Sequence, residues 1–218
     1  MILDIIKKDI DPLNIKDEGI YALSIMDEYK VNHLPVINSQ NELLGLINES
    51  TILNMEDLQK SIQSIKNKLH NIYIYFDEHI FKAIQIISEN QLTLVPVINK
   101  EYQYVGYIKA VDIITKIGTI NVNQSSMCIL IITTNENNYM LSEISRLIEE
   151  NNGKVLSLFT EFKDNKININ IMIRCSNAER IIQALERYDY NISNKFINQP
   201  DLDNLDDRFE SFIKFLNP

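Results

Sequence analysis

The chain has 218 residues, enough for one large domain or two small ones, with 45% hydrophobic and 23% charged residues. Its net charge of −9 disfavours phosphate backbones and argues against general DNA or RNA binding. No apolar run approaches the roughly 20 residues that span a bilayer, so no membrane association is expected. The opening "MILDIIKKDI" is charged too early for a signal peptide. Cys128 and Cys175 lack metal-ligand spacing and are expected as two separate thiols in a reducing cytoplasm. The three histidines are scattered, which argues against a metal site. No nucleophile elbow, Walker A or dinucleotide-binding glycine motif occurs, so no enzyme activity and no cofactor are expected.

In chain order, "DPLNI" reads as an edge strand, and Asp17 as the cap of a helix with Leu23, Ile25, Met26 and Tyr29 on one face. "LPVIN" reads as a short buried strand with proline at its tolerated start. The polar turn "SQNE", a second strand "LLGLI" and a short helix follow. Residues 55–71 are polar, weakly helical and connecting. The pattern then returns as "NIYIYF", a helix after Asp77, "LVPVIN", "KEYQ", "YVGYI" and another short helix. Aligning Ala22–Leu53 with Ala83–Ile114, without a gap, keeps Pro35/Pro96, Val36/Val97, Ile37/Ile98, Asn38/Asn99, Gly45/Gly106 and Ile47/Ile108 identical.

This doubled unit, carried by "VNHLPVIN…LLGLINESTIL" and "LTLVPVIN…YVGYIKAVDII", resembles a pair of CBS domains packed as a Bateman module. The resemblance covers about residues 1–120. It implies a non-catalytic module that senses adenine nucleotides or similar ligands in clefts between the repeats and often forms flat dimers. The family pattern G-x-I-(Ser/Thr)-x-x-Asp uses the Asp on both ribose hydroxyls and the Ser/Thr on phosphate. Repeat two supplies Gly106, Ile108, Lys109 and Asp112; repeat one supplies Gly45, Ile47, Asn48 and Thr51. The resemblance therefore implies Asp112 on ribose, with Lys109 near phosphate as a point charge. Thr51 stands where repeat one lacks the carboxylate. Val95, Pro96 and Val97, with Pro35 and Val36, match positions that line the family's base pocket, and by themselves read as core. A helix cap is the other reading of the motif: Asn48 is a good N-cap, whereas Lys109 is a poor one.

After the break at residues 118–126 the pattern changes. "MCILIITT" reads as a central strand covered on both faces. "YMLSEISRLIEENNG" reads as a helix with Leu141, Ile144, Leu147 and Ile148 on one face, ended by Gly153. "KVLSLFTEF" and "KININIMIR" form a hairpin, the second with Ile167, Ile169, Ile171 and Ile173 alternating. A helix, "NAERIIQALERY", and a strand, "YNISNKFI", complete a βαββαβ, ferredoxin-like order that resembles an ACT domain. The tail places Leu202, Leu205, Phe209, Phe212, Ile213 and Leu216 at helical spacing.

The expected fold class is α+β: repeat one at 1–57, repeat two at 58–120, an ACT-like domain at 121–198 and an amphipathic helix at 199–218. The combination resembles regulatory proteins linked to acetoin utilisation. The functional expectation is a regulatory, ligand-sensing protein, a homodimer by family habit, that binds AMP, ADP or ATP and acts through dimer or partner contacts. An interaction scaffold with degenerate sites, and an amino-acid sensor working through the ACT-like domain, remain the alternatives.

Overall fold

The sequence repeat folds as a structural repeat. In the computed structural model, which describes residues 2–121, 127–163 and 166–198, the chain divides into two compact units, 1–119 and 120–218. In the first unit, β1 (Leu13–Asn14), α1 (Gly19–Tyr29), β2 (His33–Ile37), β3 (Leu43–Asn48) and α2 (Glu49–Leu53) form one copy. β4 (Ile74–Tyr75), α3 (Ile80–Asn90), β5 (Leu94–Ile98), β6 (Tyr104–Lys109) and α4 (Ala110–Asn121) form the other. Each copy makes a three-stranded sheet, β1-β2-β3 and β4-β5-β6, with the short edge strand parallel to the centre and the last strand antiparallel. The registers coincide: Val36 faces Gly45, and Val97 faces Gly106.

Two local expectations change. The acid before each helix closes a turn and does not cap the helix: Asp17 accepts the Asn14 N–H at 2.7 Å, and Glu78 accepts that of Tyr75 at 2.9 Å. The matching pair is therefore Asp17 and Glu78, and Asp77 instead meets Lys100 at 3.4 Å. His79 caps α3 by accepting the Phe81 N–H at 3.3 Å. The helix after repeat two is also not short, since α4 runs for 12 residues.

The repeats also exchange backbone. Lys7 pairs with Tyr107 in repeat two, through Lys7 N–H to Tyr107 O at 2.9 Å and Tyr107 N–H to Lys7 O at 3.0 Å. The segment joining the repeats mirrors this: Leu46 and His70 exchange N–H···O bonds of 2.8 and 2.9 Å. Each repeat thus receives a fourth, one-bridge strand from the chain preceding the other copy. One continuous apolar core runs through both copies.

In the second unit, β7 (Met127–Asn135), α5 (Leu141–Glu150), β8 (Lys154–Lys163), β9 (Lys166–Arg174), α6 (Ala178–Glu186) and β10 (Asn191–Asn198) give the βαββαβ order. The sheet runs β10-β7-β9-β8, antiparallel throughout, which is ferredoxin-like. Ile167, Ile169, Ile171 and Ile173 are buried together with Ile144, Leu147, Ile181 and Leu185 of the two helices. β7 is central but buried on one face only: Cys128, Leu130 and Ile132 are buried, whereas Met127, Ile129 and Ile131 are half-buried. A continuous apolar run cannot reveal which face a helix covers. Leu141 begins α5 at the surface, 45% exposed. The left-handed residue ending that helix is Asn152, with φ 60°. Gly153 serves packing instead, since a Cβ there would lie 2.7 Å from side-chain atoms of Ile148 and Ile181.

The two thiols are not apart. Cys128 pairs in register with Ile173, which brings Cys175, just past β9, to an Sγ–Sγ distance of 3.7 Å. Both are free and buried, and burial raises the Cys128 pKa to about 12. Among the described residues, no helix is long and apolar enough to cross a membrane, and no group of three acidic, His or Cys side chains could hold a metal. The amphipathic helix expected at 199–218 lies outside the described residues.

Candidate functional site

The site is built where β6 turns into α4. β6 ends at Lys109, and α4 begins at Ala110, which places Asp112 in its first turn, where the helix dipole favours a carboxylate. Lys7 arrives from the segment bridged to Tyr107, and its Nζ donates to Asp112 Oδ1 at 2.7 Å. The two side chains are unequally exposed, 45% for Lys7 and 16% for Asp112. The hydrogen bond to Asp112 raises the Lys7 pKa. Asp112 Oδ2 is buried, and among the described residues it has no hydrogen-bond partner. An unpaired buried carboxylate oxygen is costly, so this atom is an acceptor that a donor would stabilise.

Lys109 supplies a second cation. Its Nζ donates to the Tyr29 carbonyl at 3.4 Å and lies 5.8 and 6.0 Å from the ring centres of Tyr29 and Tyr107. The aromatic faces favour the ammonium there. Tyr107 is fully buried and donates its hydroxyl to Asp9 Oδ1 at 2.6 Å. That hydrogen bond holds the Asp9 carboxyl below its usual range, and burial pushes the Tyr107 phenol up.

Repeat one presents different chemistry at the corresponding positions. Asn48 is the N-cap of α2, its Oδ1 accepting the Thr51 N–H at 2.8 Å, so the expected cap is present. Thr51 follows it, half-buried, in the first turn. His70 bridges to Leu46 as Lys7 bridges to Tyr107. No carboxylate stands in this position of repeat one. Lys109 and Asp112 thus flank the β6–α4 junction of repeat two, Lys109 on Tyr29 and Tyr107 and Asp112 on Lys7, whereas Thr51 lies in the other copy. Val36, Val95 and Val97 are wholly inaccessible, and Pro35 and Pro96 are buried, so all five side chains sit in packed core. A hollow of about 310 Å³ lies on the connecting segment beside Asn54, Asp57, Lys60 and Lys68, and none of the site residues lines it.

Three participants escaped the motif: Lys7, Asp9 and Tyr107. The first two precede the aligned block, and nothing in their local sequence says that this segment crosses to repeat two. Tyr107 carried a usable signal. It aligns with Leu46, and a tyrosine in a buried strand requires a partner for its hydroxyl.

The repeats also meet where β2 and β5 begin. His33 Nδ1 accepts the Thr93 N–H at 3.3 Å and lies 3.1 Å from Thr93 Oγ1, which itself accepts the Asn32 N–H at 3.0 Å. Accepting a backbone N–H requires Nδ1 to be unprotonated. Burial first, and then the nearby His70, hold the His33 pKa below 6.5. The neutral form is thus favoured in the folded state, so its stabilising effect is complete above the ordinary histidine value. As pH falls below about 6.5 the unfolded chain gains a proton that the folded chain resists, and stability declines until the lowered folded pKa is passed. Urea midpoints measured from pH 8 to 5 are expected to show this slope, and His33→Gln to flatten it.

The CBS domain model matches residues 4–56 and 65–119. A Methanocaldococcus jannaschii inosine-5′-monophosphate dehydrogenase is 22% identical over 113 residues, covering 52% of this chain and 23% of the relative. The chain thus spans less than a quarter of that relative's length. A CBS domain pair/ACT domain protein from Thermotoga maritima is similar in structure, with a TM-score of 0.48 and 19% identity over 53% of this chain and 94% of the other. CBSX2, solved in complex with AMP, has a TM-score of 0.46 and 16% identity over 55% of this chain and 96% of the other. With two successive family matches falling on two copies of one βαββα unit, the first unit of this chain is a pair of CBS domains.

Proposed function

We propose that the CBS pair is a regulatory ligand sensor that takes one adenine nucleotide at repeat two. Asp112 accepts the ribose hydroxyls, and Lys109 meets the phosphate. The observation that carries this reading is the buried Asp112 Oδ2, which has no donor among the described residues, with Lys7 on the other carboxylate oxygen and Lys109 three residues earlier as a further cation for an anionic ligand. Repeat one has no carboxylate to match, so the stoichiometry is one ligand per chain. Exposed Phe81, Val111 and Ile114 on α3 and α4 support self-association through this unit. The signal is a shift between two states that bind the nucleotide unequally. The second unit is ACT-like on this reading, supported by its strand order.

Isothermal titration with AMP, ADP and ATP tests the assignment. At least one is expected to bind at a single site per chain. Asp112→Ala is expected to weaken that binding at least about tenfold, since hydrogen bonds to a charged acceptor contribute about 1.5–3 kcal/mol each. Binding by none of the three, or equal binding by the variant, would overturn it.

A further inference from the structure

We propose that Lys7 is an internal competitor for the ribose carboxylate, so that the site discriminates nucleotides from nucleosides. This rests on the ribose reading of Asp112. A carboxylate that accepts two neighbouring hydroxyls uses both its oxygens. Here Oδ2 is buried and without a donor among the described residues, and Oδ1 already holds the Lys7 ammonium at 2.7 Å. The ligand must therefore displace Lys7 from Oδ1.

The structure allows that displacement without local unfolding. Lys7 is fixed by its backbone, through both hydrogen bonds to Tyr107, while its side chain is 45% exposed on a flexible stem. The ammonium can swing away and leave the bridge intact. Where it goes depends on the ligand. A nucleotide brings a phosphate, a new partner for the released cation, and Lys109 offers a second cation in the same cluster. A nucleoside brings none, so its binding loses the Lys7–Asp112 pair without replacement. Lys7 thereby opposes adenosine and assists AMP, and the one residue moves the two affinities in opposite directions.

Lys7→Met keeps the stem and removes the charge. Half-exposed ion pairs contribute up to about 1 kcal/mol, which corresponds to about fivefold in affinity. In calorimetric titrations of the whole protein, Lys7→Met is therefore expected to bind adenosine about three- to fivefold more tightly than the natural protein, and AMP more weakly. Lys7→Arg, which keeps the cation, is expected to follow the natural protein for both compounds. An adenosine affinity unchanged or reduced in Lys7→Met, with AMP binding still dependent on Asp112, overturns this inference and leaves the nucleotide site standing. So does a Lys7→Arg variant that behaves like Lys7→Met. Failure of AMP and adenosine to bind any of the three proteins overturns the inference and the ribose site together. Adenosine binding detected only in Lys7→Met supports the inference.

Discussion

Gly106→Ala is expected to destabilise the first unit by about 1–3 kcal/mol, the cost of a strained backbone that its surroundings cannot relax. Gly106 has φ 155°, and a Cβ there would lie 2.5 Å from the Lys7 carbonyl oxygen and 2.7 Å from Ile6 Cγ2. The carbonyl is the obstacle that matters. It accepts the Tyr107 N–H at 3.0 Å, so it cannot retreat without breaking the bridge that brings Lys7 to Asp112. Gly45 provides an internal control. It has φ 150° at the same register position of repeat one, but a Cβ there would meet the His70 carbonyl at 2.9 Å. Gly45→Ala is therefore expected to cost less than Gly106→Ala. Urea unfolding gives the order, and hydrogen exchange in peptides covering residues 2–12 shows whether the bridge is the part that opens. Equal losses, or no added exchange in that segment, would mean that the close approach is not the reason for glycine.

The duplicated half was legible because the repeat fixes register and faces at once. Gly45 and Gly106, Pro35 and Pro96, and the strand after each fall at matching places in both sheets. The cap difference was legible too: Asn48 accepts the Thr51 N–H, whereas Lys109 turns to Tyr29 and the aromatic rings. What the motif could not supply was the partner of Asp112. Lys7 lies 105 residues away in sequence, in a segment that pairs with the far copy, and such non-local pairing leaves no local periodicity. The residues that the family resemblance matched to a base pocket illustrate a different limit. Alternation and apolar character place Val36, Val95 and Val97 in strands, but strands buried on both faces offer no sequence sign separating a cleft wall from the core. In the second unit the βαββαβ order was legible from period changes, while the side of β7 left without helices was not.

That open side allows two neighbouring substitutions to act with opposite sign. Ile171 and Asn170 are adjacent on β9, so their side chains project to opposite faces of the sheet. Ile171 is wholly buried beneath the helices and faces Leu130 and Leu158 across the two adjoining strands. Ile171→Ala removes several methyl and methylene groups from a core bounded by α5 and α6 and is expected to cost about 2–5 kcal/mol. Asn170 is 8% exposed on the other face, between Ile131 and Phe159, and its Nδ2 has no hydrogen-bond partner among the described residues. An unsatisfied buried donor costs about 1–3 kcal/mol, and a β-branched apolar residue suits both the strand and these neighbours. Asn170→Val is accordingly expected to stabilise the second unit by about 1 kcal/mol, even though it removes a polar group from the less covered face. Hydrogen exchange in peptides from β7 and β9 would report both changes. If Asn170→Val loosened the sheet, the amide would be satisfied in solution by a partner, and this face would be covered in the working protein. If Ile171→Ala left exchange unchanged, the helices would not be packed on this face of β9.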